Sequence, residues 1–477
     1  MNAFDGDIYR PSDGGYEQAR CAAVWNGIKP NRMPAVILIA ASREDVVRAI
    51  VLARDEGLTI GIRSGGHSWV GNAVRDGGML LDLSRLKAIE VDPATRTATV
   101  EPGVHVDELI AALSVHGLYF PTGHCPSVGI AGFILGGGAG FNSYAVGPAA
   151  YSLRAIDVVT ASGEVLHATE DAHADILWAA RGSGPGFFAA ATRLYLDLRP
   201  MPGVIASAMQ IYPLSSYDEL IPWFLATNRS LMESGCGALL VASGNPLSGR
   251  EETVLTLISY VFADDLEHAQ SLLAPLETAP GLNSALVRQE PRPSSMTEIL
   301  GLFDLLYPEG YRYLSDNVWI TDVGDQNLWP EARAIIDSLP TARSSLWLIP
   351  GFRQTHTNAA FSLTAELSLQ VYGAYEDSAQ DEQMLAWHNA SMNRIDSYSL
   401  GGGYVGDSNL FHHPMAVLDP SSAARLEKLR RTYDPEGRFF SYPSELPLAR
   451  PTRCSRTISP VAASWREGRR SDGGTLR

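Results

Sequence analysis

Two glycine-crowded segments constrain this chain more than any other feature: RSGGHSWVGN at 63–72 and GHCPSVGIAGFILGGGAG at 123–140. A glycine pair directly after a strand lets the backbone take positive φ and turns successive N–H groups inward, which makes a nest for an anion. Ser64 and Ser68 place hydroxyls beside the first pair, Gly65 and Gly66. In the second segment the consecutive glycines Gly136, Gly137 and Gly138 leave no Cβ atoms in the way of a large flat ligand. A lone glycine pair is ordinarily a tight turn. Here two such loops each hold one nucleophilic side chain, His67 in the first and Cys125 in the second. An anion nest alone needs neither.

The usual nucleotide-binding fingerprints are missing. Neither loop carries GxGxxG with an acid about 20 residues on, and GxxxxGK[ST] does not occur. A nucleotide cofactor is implied, in another fold. At 477 residues the chain exceeds one core, so two domains or three are expected. Its 37 basic and 53 acidic residues give a net charge of −16 with no Lys/Arg stripe, which argues against nucleic acid as a partner. MNAFDGDIYR has acids where a signal peptide carries basic and apolar segments. No apolar run approaches the roughly 20 residues of a membrane span. Cys21, Cys125, Cys236 and Cys454 are scattered, without disulfide-framework or zinc spacing. The expectation is a cytoplasmic monomer or homodimer, with no membrane partner and no metal.

From Ala35 onward, short apolar runs alternate with amphipathic ones. AVILIA, LTIGIRS, MLLDLS, AIEVD and TATVEPG read as strands, and REDVVRAIVLARDEG as a helix capped by Ser42 and ended by Gly57. HVDELIAALSVHG is a second helix, and LRAIDVVTASGEVLHAT two strands around a Ser-Gly turn. The class is α+β rather than strict βαβ alternation. Past RPMP at 199–202 the texture changes. ASAMQIYP, GALLVAS, TVLTLISYVF and ELSLQVYGAY are separated by helical segments, which suits an antiparallel sheet backed by helices on one face.

The two loops together resemble the signature segments of the berberine-bridge-enzyme-like flavoproteins of the vanillyl-alcohol-oxidase superfamily, with its PCMH-type FAD-binding domain. YDPEGRFF at 433–440 is similar to the family's closing motif. The similarity is strong over about residues 30–200, moderate over 400–446 and loose between. It implies a two-part FAD-binding domain (1–200 and a return segment at 411–450) around a substrate domain at 201–410, and the polar, basic, aperiodic residues 451–477 read as a flexible tail. It also implies FAD attached twice, the His67 imidazole to the 8α-methyl carbon and the Cys125 sulfur to C6 of the ring. Taken alone, His67 reads as a turn histidine and Cys125 as a small buried hydrophobe. Further cofactor contacts are implied at Arg63, Ser64, Gly65, Gly66, Ser68 and Gly71, and at Val128, Gly129, Gly132, Gly136, Gly137, Gly138 and Gly140. His124 lies outside the resemblance; it either lowers the neighbouring thiol pKa or faces away.

Period-2 alternation in AELSLQVYGAYE puts Glu366, Ser368, Gln370, Tyr372, Ala374 and Glu376 on one face of a strand. Ala365, Leu367, Leu369, Val371, Gly373 and Tyr375 form the other, apolar face. Hydride loss from an alcohol or amine needs a base for the accompanying proton, and Tyr372 and Glu376 are candidates. A solvent-facing strand end is the plainer reading of Glu376. By the resemblance, Tyr404 in GGGYVGD is a third catalytic candidate, although Gly406 stands where the family has asparagine. His412 and His413 point apart and read as surface or interface histidines rather than metal ligands. The resemblance implies an oxidase acting on a small molecule, a sugar or secondary metabolite, with O2 as partner. Val128, on the small side, would leave oxygen a path. A dehydrogenase with another electron acceptor and a non-catalytic flavin-binding protein are the alternatives.

Overall fold

In a computed structural model of the chain, residues 4–245, 250–352 and 356–443 are described. The tail expected at 451–477 lies outside them. Apolar runs in the N-terminal part form short, largely buried strands. Val36–Ile39 and Ile60–Arg63 flank Met79–Asp82 in parallel, and Asp7–Tyr9 closes one edge antiparallel. Ser42 caps the helix Arg43–Asp55 by accepting from the Asp45 N–H at 3.2 Å. Val46, Ala49, Ile50 and Ala53 recur at helical spacing and are completely buried against this sheet. A second, five-stranded antiparallel sheet follows, in the order Ile89–Asp92, Thr97–Val100, Ala190–Asp197, Leu153–Val159, Val165–Ala168.

The middle of the chain builds a seven-stranded antiparallel sheet. Its order is Val287–Pro293, Val204–Pro213, Arg250–Ala263, Ala238–Asn245, Ser345–Pro350, Leu367–Tyr375, Arg312–Ile320. The helices Tyr217–Glu233, Leu328–Asp337 and Asp381–Asp396 cover one face. On that side Leu367, Leu369 and Val371 meet Phe224, Ile335 and Ile395 in one core. A fully buried side chain of this size contributes about 1.5–3 kcal/mol, so this layer holds the sheet rigid. The opposite face carries Tyr372 and Ala374, which cluster with Cys125, Tyr313 and Trp347. The two faces of Leu367–Tyr375 therefore look in the directions the alternation implies.

The chain then returns to its beginning. Ile60 donates its N–H to the Arg438 carbonyl at 2.7 Å, and Phe440 donates to the Ile60 carbonyl at 2.9 Å. Asp434 accepts from the N–H groups of Arg438 and Phe439 at 2.7 and 2.9 Å, and Gly437 supplies the left-handed turn at φ +62°. The Arg438 guanidinium serves the Ala53 and Leu58 carbonyls, both at 3.2 Å, where the Arg43–Asp55 helix ends. The closing motif thus clamps the strand that feeds the first glycine loop. The fold is α+β, and no helix among the described residues is long and apolar enough to cross a membrane.

Candidate active site

The strand Ile60–Arg63 delivers the first glycine loop to the mouth of a cavity of about 330 Å³. The second loop forms the facing wall. The two meet backbone to backbone: a Cβ on Gly65 would lie 2.3 Å from the Gly129 nitrogen, and one on Gly129 would lie 2.5 Å from the Gly65 nitrogen. No larger residue fits at either position. Gly66 adopts φ +77°. Among the described residues, the N–H groups of Gly65, Gly66, His67 and Ser68 meet no protein acceptor. Four unserved amides around glycine-lined space make a fitting cradle for the pyrophosphate and flat ring of FAD.

His67 and Cys125 both line this cavity. The His67 Nε2 is hydrogen-bonded to the Ser127 hydroxyl at 2.8 Å, and the ring stacks on Trp25 with centroids 4.5 Å apart. Burial, helped by the positive neighbours His105 and Arg63, pushes the imidazole down to about 3. It is therefore neutral, with Nδ1 available for bonding. Burial drives the Cys125 thiol well above its ordinary range, with Asp407 and Asp304 adding to the shift. His124 does not reverse this. Burial holds its imidazole down to about 4, and it packs against Phe303 at 4.4 Å.

A second cavity of about 140 Å³ opens between the second loop and the large sheet. His124, Ala139, Tyr404 and Asp407 line both cavities and so form their shared wall. Asp407 Oδ1 accepts from the Trp69 indole N–H at 3.1 Å, and Oδ2 accepts from the Gln370 amide at 3.4 Å. Gln370 is itself fixed, because its Oε1 accepts the Tyr372 hydroxyl at 2.6 Å. Burial pushes the Asp407 carboxyl up to about 6, although hydrogen bonds from Trp69, Tyr372 and Gln370 oppose the shift. Asn317 holds the loop from both sides. Its amide donates to the Tyr404 and Asp407 carbonyls at 2.8 and 3.1 Å, and its Oδ1 accepts from the Tyr404 N–H at 2.8 Å. Burial, then the Asp407 charge, raises the Tyr404 phenol far above neutrality, and the Ala139 N–H donates to its oxygen at 3.3 Å.

Comparison with known proteins agrees with this geometry. Residues 34–169 match the FAD binding domain family. Over 429 residues the chain is 31% identical to an FAD-linked oxidoreductase of Penicillium janthinellum, covering 89% of this chain and 94% of that one. The fold matches 6-hydroxy-D-nicotine oxidase of Arthrobacter nicotinovorans with a TM-score of 0.78 at 23% identity, covering 92% of this chain and 98% of that one. A variant of berberine bridge enzyme matches with a TM-score of 0.78 at 20% identity, covering 93% and 97%. The chain belongs to the FAD-linked oxidoreductases. It is an FAD-dependent oxidoreductase.

In this FAD-linked oxidoreductase, the cofactor residues expected from the sequence divide into three groups. Arg63, Ser64, Gly65, Gly66, His67, Ser68, Gly71, Cys125, Val128, Gly129, Gly132 and Gly136 all line the first cavity. Gly137 and Gly138 line neither. They take φ +105° and +76°, and a Cβ there would strike the Phe361 ring at 2.4 Å and the Ala149 methyl at 2.6 Å. They serve packing. Gly140 lines the second cavity. The Arg63 guanidinium bonds Asp82 at 3.0 and 3.1 Å, so it anchors the loop to the neighbouring strand.

The catalytic candidates also separate. Tyr404 is in the shared wall, whereas Tyr372 sits behind Gln370 and lines neither cavity. Glu376 is corrected outright: the strand ends at Tyr375, and Glu376 is exposed beyond it. His413 is no surface histidine, since its ring nitrogens lie 3.2 and 3.3 Å from Asp316 and Asp396; His412 is exposed. At Gly406, where the family has asparagine, a Cβ would lie 2.5 Å from the Tyr404 ring, so this backbone requires glycine. Asp407 is the residue that sequence reasoning misses. Its one signal is an acid three residues beyond Tyr404 in a glycine-rich loop.

Proposed function

We propose that the chain is an FAD-dependent oxidase whose flavin is held covalently by His67 and Cys125, and whose catalytic base is Asp407. Bound FAD would supply the hydride acceptor and, through reaction with O2, the source of hydrogen peroxide. The observation that carries the reading is Asp407 in the wall common to both cavities, with a carboxyl pushed up to about 6 by burial. A base poised near operating pH is half-ionised where it is needed and binds a proton firmly once it has one. Asp407 takes the proton of the substrate's C–OH or C–NH group as hydride leaves the same carbon. Trp69 and Gln370 fix the carboxylate's orientation. Tyr404 stays a neutral phenol and positions the reacting group, while Tyr372 holds Gln370.

The neutral His67 ring, with Nε2 on Ser127, presents Nδ1 as its nucleophilic nitrogen. Covalent anchoring keeps the ring in register, so the neighbouring cavity need not grip it. Val128, beside Cys125 in the cavity lining, leaves the passage by which O2 arrives. The test is Asp407→Asn. Flavin content should stay at the wild-type level while kcat/KM for an oxidised substrate falls about 10²–10⁴-fold. Retention of activity within a few-fold would remove Asp407 from the mechanism.

A further inference from the structure

The lining of the second cavity narrows the substrate. Its walls are largely aromatic and aliphatic, with Tyr260, Phe303, Trp319, Trp347 and Phe352 prominent. Lys and Arg do not occur among its described lining residues, and Asp407 is its single carboxylate. Most of its polar groups are already engaged. Asn142 donates to the Tyr119 hydroxyl at 2.8 Å, Ser143 accepts from the Gly140 N–H at 2.9 Å, and Tyr144 donates to the Pro350 carbonyl at 2.9 Å.

Three of its fully buried side-chain polar atoms remain unpaired. The Trp319 Nε1, the Ser368 hydroxyl and the Tyr260 hydroxyl are buried and have no hydrogen-bond partner. Trp319 and Ser368 are cross-strand neighbours, paired directly in the register of Arg312–Ile320 with Leu367–Tyr375. Ser368 stands one same-face step before Gln370, which bonds Asp407. One such step spans about 7 Å. A buried N–H or O–H without a partner costs about 1–3 kcal/mol, and a ligand acceptor placed there recovers it.

Resting on the assignment of Asp407 as the base, we infer that the substrate is a neutral, ring-bearing, mainly apolar molecule. A hydrogen-bond acceptor lies about one ring width from the carbon that is oxidised, and Trp319 and Ser368 receive it. A cavity of about 140 Å³ holds one ring of such a molecule; a dry apolar cavity of about 150 Å³ accommodates benzene. A saccharide is disfavoured, because its many hydroxyls would outnumber the few free partners and each orphan would weaken binding. An anionic substrate would meet Asp407 with no cation to offset it.

The experiment titrates the flavin-loaded protein with 4-methoxybenzyl alcohol, 4-carboxybenzyl alcohol and cellobiose, reading tryptophan fluorescence and the flavin absorption band. Saturable binding is expected for the methoxy compound, at least about tenfold tighter than for the carboxylate or the disaccharide. Trp319→Phe and Ser368→Ala should each weaken it about tenfold, since one hydrogen bond is lost while the ring wall remains. Tighter binding of cellobiose, absence of saturable binding of the methoxy compound, or unchanged affinity in both variants would overturn the inference. None of these results touches the oxidase assignment, which stands or falls on flavin attachment and on Asp407→Asn.

Discussion

Replacing Asp407 with asparagine should make the protein more stable above about pH 6 as it makes it less active. Burial raises the carboxyl from 3.8 to about 6. The folded state therefore binds more protons than the unfolded state between these values. Stability falls as pH rises through that window, and the full penalty persists above it. A rise from 3.8 to about 6 corresponds to about 3 kcal/mol, an upper value because Asp407 borders open cavity space that admits water. The asparagine side chain of the variant would keep the Trp69 hydrogen bond but set its NH2 against the Gln370 amide, which takes back about 1 kcal/mol. The net gain is about 1–2 kcal/mol at about pH 7.5 and close to zero or slightly negative at about pH 4. Denaturant midpoints of wild type and Asp407→Asn, measured from about pH 4 to 8 on the flavin-loaded protein, give the gap directly. Wild-type kcat/KM should rise through about pH 6 and level off over the range in which the gap opens. A gap that does not vary with pH would show that Asp407 is not a destabilised, buried carboxylate, and the argument for its being the base would fail.

Other expectations follow from neighbouring residues. Tyr404→Phe should lower kcat on the order of 10²-fold by removing a hydroxyl from the shared wall, and less than Asp407→Asn does; the reverse ranking in anaerobic flavin reduction would return the base to Tyr404. Val128→Ile should slow reoxidation by O2 and leave reduction by substrate unchanged in stopped-flow traces, and equal slowing of both would mean a distorted loop. Burial draws the His413 imidazole down, but Asp316 and then Asp396 raise it overall. Its ion pairs therefore stabilise the fold below the unfolded-state pKa of about 6.5 and lose that contribution as pH rises through the higher folded value. His413→Gln should thus lower the denaturant midpoint more at about pH 6 than at about pH 9, and equal losses at both would contradict the pairing.

The parts of the site that could be read from the sequence are those where a backbone requirement leaves a mark in it. Gly65 and Gly129 must lack a Cβ because the loops touch, and that contact brings His67 and Cys125 to one cavity. The alternation in Leu367–Tyr375 shows which face looks away from the helices. It does not show where the strand leaves the pocket, and so it puts Glu376 on a wall that the strand never reaches. Gly137 and Gly138 look the same in sequence as Gly136. Yet Phe361, far along the chain, fixes Gly137 in packing, as Ala149 does Gly138. The strand Arg312–Ile320 is hard to read because its buried positions include Ser315 and Asn317, which bond the loop of Asp407. Asp407 itself is oriented by Trp69, 338 positions earlier. No local period encodes such a meeting.

The most direct test of the account is whether the flavin stays on the chain when the fold is destroyed. Acid-denatured protein should remain yellow, with an intact mass greater than that of the polypeptide by one FAD. His67→Ala and Cys125→Ala should each keep the added mass through the remaining bond, and the double variant should lose it. Release of free FAD from denatured wild type would contradict the role given to both loops.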